Sequence, residues 1–314
     1  MKSQQYVDFF VSNSIGLSIF EKPYTIKNMQ FQSIDTVEAI SKEEFIKNYL
    51  KKRKPLLLKG YAKNWKDFDK WNLDYIKEKA GEQIVPLYDS KPADANKSSD
   101  TPATHMKFNE YVDLIKKEPS DLRIFFFIIK DKIPELLKNF TYPDLGLKYF
   151  ERLPTLFFGG SEAKVLMHYD VDMTDFIHFQ FQGDKRILLF DPKQSEALYK
   201  VPLSVHTIYE IDYDYPDYEK FPALKHAKGF DFVMNHGDAL FIPRGYWHYN
   251  RYLEAGFSMS LRAFPNEFFQ VLNTVYHVFI MRYTDKLMRK LFQSKWINFK
   301  EKWAVKKSHS HYKI

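Results

Sequence analysis

The sequence predicts an α+β chain built around an antiparallel β-sandwich or barrel. Two observations predict this. From Arg123 onward, short apolar runs recur, each bounded by Gly, Pro, Asp or Asn. Apolar residues at helical spacing are confined to the chain before and after that stretch. The 314 residues, 45% hydrophobic and 28% charged, exclude a fibrous or wholly disordered chain and are enough to bury a real core.

The elements read in order. Ser41 with Glu44 fits a capping box ahead of Phe45, Tyr49 and Leu50. Pro55–Gly60 reads as a buried strand closed by glycine. Trp71–Lys79 and Met106–Lys117 have helical spacing, and Asp89–Thr104, rich in Ser, Asp, Pro and Ala, reads as an exposed loop. Strands follow at Ile124–Ile129, Thr155–Phe158, Lys164–His168, Phe176–Gln182, Arg186–Phe190, Ala239–Ile242, Gly245–Tyr252 and Phe257–Phe264. Asp212–Lys220, acidic and rich in Tyr and Pro, reads as an ordered loop. After Pro265 the pattern is helical, with an apolar stripe of Phe268, Leu272, Val275, Phe279, Leu287 and Leu291.

No cysteine is present, which excludes disulfides, Fe–S clusters, thiolate zinc sites and cysteine nucleophiles. A metal must therefore use His, Asp, Glu or water. Met1–Phe20 shows no signal-peptide pattern and no apolar run is long enough to span a membrane, so a cytoplasmic protein is expected. The net charge of +7 resides in the tail: from Pro265 on there are ten Lys/Arg and three Asp/Glu. No phosphate-binding glycine loop or Gly-x-Ser-x-Gly elbow occurs.

The chemistry-bearing constellation starts at His168-Tyr169-Asp170, where a strand should end. Residues i and i+2 share a face, so the imidazole and carboxylate converge. A third ligand must come from another strand, and His248 is the natural candidate. Two His and one carboxylate on one face leave open positions, the arrangement non-haem Fe(II) uses to bind a keto acid and O2. The same triplet also fits a strand-end His capped by a neighbouring carboxylate.

Linked motifs extend the pattern: Lys54–Gly60, Lys70–Ile76, Met106–Tyr111, Gln182–Arg186, Asp214–Pro222, and Gly237–Pro243 leading into Gly245–His248. In order and spacing, from about Ile34 to Phe264, the chain resembles the JmjC-type, cupin-like Fe(II)/2-oxoglutarate oxygenases, the group that includes an asparaginyl hydroxylase and the tRNA wybutosine hydroxylases. The resemblance implies a double-stranded β-helix (jelly-roll/cupin, JmjC-like) core at 123–264, an N-terminal helical and strand elaboration at 1–122, and basic C-terminal helices at 265–314. It implies Fe(II) on His168, Asp170 and His248, 2-oxoglutarate as cosubstrate and O2 as co-reactant. Lys185 matches the family's basic residue for the distal carboxylate, although a turn lysine beside Asp184 is the plainer account.

The chain departs from the family at four places: Phe125 stands for a Tyr, Val165 for a Thr, and Phe176 and Arg262 each for an Asn. Ser258, Ser260 and Arg262 share a strand face, so Arg262 would serve as a second cation for the keto acid or as a salt-bridge partner. Alternation puts Phe176, His178 and Gln180 on one face of their strand, where His178 and Gln180 would line a substrate pocket. A hydrogen-bonded core histidine is the alternative. Asp172 and Asp175 read as solvated loop carboxylates, and His206, His226, His236 and His277 as structural or surface residues. The competing function is an RNA- or partner-binding protein gripping with Arg282, Lys286, Arg289, Lys290, Lys295, Lys300, Lys302, Trp296 and Trp303, its cupin core a non-oxygenase metal site. The apolar stripe is expected to pack on the barrel or to form a homodimer.

Overall fold

The computed structural model describes residues 28–65, 67–91, 101–265 and 267–314. The expectation at Met1–Phe20 and most of the Asp89–Thr104 loop lie outside them. Eight strands form the core: β1 Thr155–Gly159, β2 Lys164–His168, β3 Phe176–Gln182, β4 Lys185–Phe190, β5 Lys228–Met234, β6 Ala239–Ile242, β7 Trp247–Tyr252 and β8 Gly256–Arg262. They divide into two antiparallel sheets in the orders β1-β8-β3-β6 and β2-β7-β4-β5. This is the double-stranded β-helix that the resemblance implies.

The amino-terminal chain extends the sheets. Leu56–Leu58 pairs with β6, Thr36–Val37 runs parallel to it, and Arg123–Ile128 pairs with β1. Gln30–Gln32 runs parallel to β5. These additions cover strand edges that would otherwise expose unpaired backbone groups. Ser41 caps its helix, its hydroxyl accepting from the Glu44 amide at 3.2 Å, and Asn72 likewise caps Leu73–Ala80 through the Tyr75 amide.

Three apolar clusters follow from alternation. Ile177, Phe179 and Phe181 of β3 point outward, against Trp65, Trp71 and the helices Leu73–Ala80 and Phe108–Lys117. Phe176, Ile187, Leu189, Leu240 and Ile242 fill the space between the sheets. Leu188 and Tyr249 face the opposite way, against the 197–227 chain and the last helix at Ala304 and Val305.

Two expectations change here. Strand β5 lies where no strand was expected, because Asp231 interrupts its apolar residues. Asp231 is paired with Arg186 at 2.6 and 2.9 Å, so its charge is answered in place. The apolar stripe after Pro265 does not pack on the barrel: Phe268, Leu272, Phe279, Leu287 and Leu291 are exposed. Contact with the core is made instead by Thr274, which donates to the Asp172 carbonyl, by His277 against Tyr169, and by Ala304 farther along. In the competing nucleic-acid reading, Arg289, Trp296 and the buried Lys300 are three of the gripping residues, and all three bond to Asp285. Among the described residues no helix is long and apolar enough to cross a membrane.

Gly183 makes the β3–β4 turn with φ at 72°. A Cβ there would lie 2.8 Å from the Ala255 carbonyl oxygen. Gly183→Ala is expected to cost about 1–3 kcal/mol, from positive φ and the clash together. Urea denaturation checks this, and an unchanged midpoint would show that the turn relaxes freely.

Candidate metal and cosubstrate site

His168 is the last residue of β2, and antiparallel pairing sets it directly opposite His248 on β7. Asp170 follows two residues later. Its Oδ1 lies 3.7 Å from His168 Nε2 and 3.9 Å from His248 Nε2. One ligand atom from each of the three falls within 4.8 Å of the others. The sequence's three candidates therefore converge.

The hydrogen bonds behind the rings decide which nitrogens face inward. His168 Nδ1 is 2.8 Å from the Leu166 carbonyl and His248 Nδ1 is 3.1 Å from that of Tyr246. A carbonyl only accepts, so each Nδ1 carries the hydrogen and each Nε2 turns a lone pair toward Asp170. Burial, then the neighbouring His248, pushes His168 down to about 3. Burial also lowers His248. Both rings are thus neutral at ordinary pH. Burial alone would raise Asp170, but the Arg262 guanidinium beside it outweighs that and holds the carboxylate ionised. Two neutral imidazoles and a carboxylate on one face suit a divalent metal such as Fe(II) with open positions.

Arg262 resolves toward the salt-bridge alternative. Its Nη2 donates to Asp170 Oδ2 at 2.9 Å and its Nε to Asp172 Oδ2 at 2.8 Å. Asp170 thus turns Oδ1 toward the same point as the two Nε2 lone pairs while Oδ2 is held from behind. Arg262 Nη1 is buried with no partner among the described residues, so one donor is uncommitted. The guanidinium lies 5.5 Å from the Phe176 ring centroid. The loop carboxylates are not simply solvated. Asp172 also accepts from Thr174, and Asp175 accepts from the Arg244 amide and guanidinium.

Lys185 begins β4 and is 1% exposed, which overturns the solvated-turn alternative. Its Nζ donates to Ser258 Oγ at 2.8 Å and lies 3.1 Å from His178 Nε2. Among the described residues it pairs with no carboxylate, and burial pushes it down to about 7. A buried ammonium without a counter-charge is costly, and a dicarboxylate arriving beside it would supply one. Gln180, expected to line a substrate pocket, instead donates its amide to the carbonyls of Gln182 and Gly183 and braces the β3–β4 turn. Only its Oε1 is buried without a partner. Phe125 packs on Tyr88 at 4.2 Å between centroids, outside this cluster.

Tyr252 was missed. It is the register partner of Lys185 on β7, and its ring centroid lies 4.3 Å from the ammonium. Burial raises its phenol while a hydrogen bond with Ser258 opposes that. Even spacing from His248 was the available signal, since residues 248, 250 and 252 alternate onto one face. Three further histidines sit in packing or hydrogen-bonding contacts. His206 bonds the Thr207 carbonyl and is pushed down to about 4 by burial, His226 stacks on Tyr312, and His277 bonds the Asn273 carbonyl.

A family model described as a cupin-like domain matches residues 41–270. The chain is 29% identical over 259 residues to lysine-specific demethylase 8 of Xenopus tropicalis, covering 78% of this chain and 56% of that protein. It is 25% identical over 254 residues to tRNA wybutosine-synthesizing protein 5 of Gallus gallus, covering 74% and 76%. It is 30% identical over 239 residues to lysine-specific demethylase JMJ21 of Arabidopsis thaliana, covering 69% and 24%. The chain therefore spans little more than half the length of the demethylase 8 relatives, 56% in Xenopus tropicalis and 58% in Danio rerio.

Arg262→Leu removes the bond that orients Asp170. Affinity for Mn(II), titrated calorimetrically, is expected to fall about 10- to 100-fold, the usual effect of losing an outer partner of a ligand. Unchanged affinity would show that Asp170 is positioned without Arg262.

Proposed function

The chain belongs to the cupin-like, JmjC-type domain family, and from that premise we propose that it is an Fe(II)- and 2-oxoglutarate-dependent dioxygenase. It would hydroxylate a C–H bond of a protein side chain or small molecule, with succinate and CO2 as coproducts. The observation that carries this is the set of side chains facing inward from the two sheets. That set holds a three-ligand face at His168, Asp170 and His248 and, separately, a buried ammonium at Lys185 that no carboxylate among the described residues neutralises.

When bound, iron supplies the redox chemistry that couples O2 reduction to keto-acid decarboxylation. The protein's own residues do the rest. His168 and His248 present fixed Nε2 lone pairs, their Nδ1 hydrogens tied to backbone. Asp170 is held on one oxygen by Arg262. Lys185, with Ser258 beside it, receives the keto acid's distal carboxylate. Phe176, Ile187, Leu189 and Leu240 keep the space apolar, so charges there interact strongly. The names of the relatives point to two substrate classes, a lysine residue and a tRNA base, and the protein or small-molecule class is the one proposed here.

For the exposed apolar stripe at Phe268–Leu291, a second copy of the chain is the proposed partner. Light scattering of wild type beside Leu287→Glu tests it: a dimer lost in the variant is expected. A monomeric wild type that binds RNA in a salt-sensitive way would instead favour the nucleic-acid account.

Incubation with 2-oxoglutarate, Fe(II), ascorbate and air is expected to yield succinate. His168→Ala and Asp170→Ala should each lower the rate by at least about 100-fold, since either leaves an incomplete ligand set. Equal turnover in wild type and His168→Ala would sink the assignment.

A further inference from the structure

We infer that His178 is a positioning residue for the keto acid, its imidazole accepting from the Lys185 ammonium and holding that group for the distal carboxylate. This rests on the role proposed above for Lys185.

The direction of each bond is fixed by chemistry. An ammonium only donates, so His178 Nε2, 3.1 Å away, is the acceptor. Nδ1 then carries the ring hydrogen and donates to Ser260 Oγ at 2.8 Å. The ammonium thereby sets the tautomer, and the Ser260 hydroxyl, which can accept, accommodates it. The arrangement requires a neutral ring, and burial together with the Lys185 charge holds His178 well below the usual histidine range.

Lysine has three N–H donors on a flexible four-carbon stem. Ser258 takes one at 2.8 Å and His178 a second, which leaves the third for a ligand. The Tyr252 ring lies beside the ammonium, 4.3 Å from it to the centroid. Ordering the stem before the ligand arrives removes an entropy cost that binding would otherwise carry.

The same surroundings couple binding to protons. The groups facing Lys185 are His178 on β3, Ser258 on β8 and Tyr252 on β7, none of them anionic, while Met234 is its apolar neighbour on β5. Arg262 and His248 act on His178 and carry no negative charge to the ammonium. Free Lys185 therefore gives up its proton near neutrality, about 7. A bound dianion raises that value, so affinity is full below pH 7 and falls as pH rises above it.

The test is calorimetric titration of 2-oxoglutarate into the Mn(II)-loaded protein, run in two buffers of different ionisation enthalpy. Wild type, Lys185→Met, His178→Phe and His178→Gln are compared, with Mn(II) affinity and melting temperature measured alongside. Wild type is expected to bind with net proton uptake at pH 7.5. His178→Phe should weaken binding by about tenfold or more, the loss of one charged hydrogen bond, at unchanged Mn(II) affinity. His178→Gln should recover most of it, because its amide can accept from Lys185 and donate to Ser260. Wild-type affinity in His178→Phe, with Lys185→Met inactive in binding, would overturn the inference alone. So would equal weakening in the Phe and Gln variants. No binding by wild type, or undiminished binding by Lys185→Met, would overturn the cosubstrate role of Lys185 itself.

Discussion

The antiparallel register of β2 against β7 sets His168 directly across from His248, and the remainder of the site is built on that pairing. A slip of one residue would turn His168 to the other face of the sheet. The register is held from both sides. β4 pairs along the whole of β7, from Lys185 with Tyr252 to Phe190 with Trp247. The same β4–β7 ladder that fixes His248 therefore also carries Lys185, so the metal-ligand face and the ammonium cannot drift apart. The amino-terminal strands and helices act farther out, filling the outer face of β3 and covering the sheet edges.

The charges between the sheets are arranged around what is to bind. Asp170 and Asp172 are both paired with Arg262, while Lys185 has no carboxylate partner among the described residues, so the charges of these four sum to zero when all are ionised. The histidines add nothing, because burial keeps them uncharged. Adding a divalent cation beside Asp170 and a dianion beside Lys185 leaves the space neutral again. That balance matters in a low-dielectric interior, where an unmatched charge costs several kcal/mol. It also explains why Arg262 need not be the keto acid's cation: the carboxylates beside the metal ligands already occupy it.

Much of this was legible because it depends on spacing within single strands. His-x-Asp at a strand end converges by alternation alone, and Lys185 sits two residues past a turn glycine. The alternation of β3 likewise put Phe176, His178 and Gln180 on the inner face. What was not legible depends on contacts between distant segments. Asp172 and Asp175 look like loop carboxylates until Arg262 and Arg244 arrive from other elements. Gln180 faces inward as expected, but nothing in its strand says that its amide turns back to brace Gly183. β5 was hidden because Asp231 breaks its apolar run, and its partner Arg186 lies on another strand. The stripe after Pro265 has a clear helical period, yet period cannot say whether the barrel or another molecule covers it.

The most direct test of the central claim is anaerobic. Fe(II) and a 2-oxo acid acquire visible absorption only when they share a site, so 2-oxoglutarate is added to the Fe(II)-loaded protein without O2. The account predicts an absorption band that saturates near one equivalent, is absent in His168→Ala, and needs far more keto acid in Lys185→Met. Folded, iron-loaded protein that develops no band would contradict it, and would leave the paired sheets as a metal site without a keto-acid pocket.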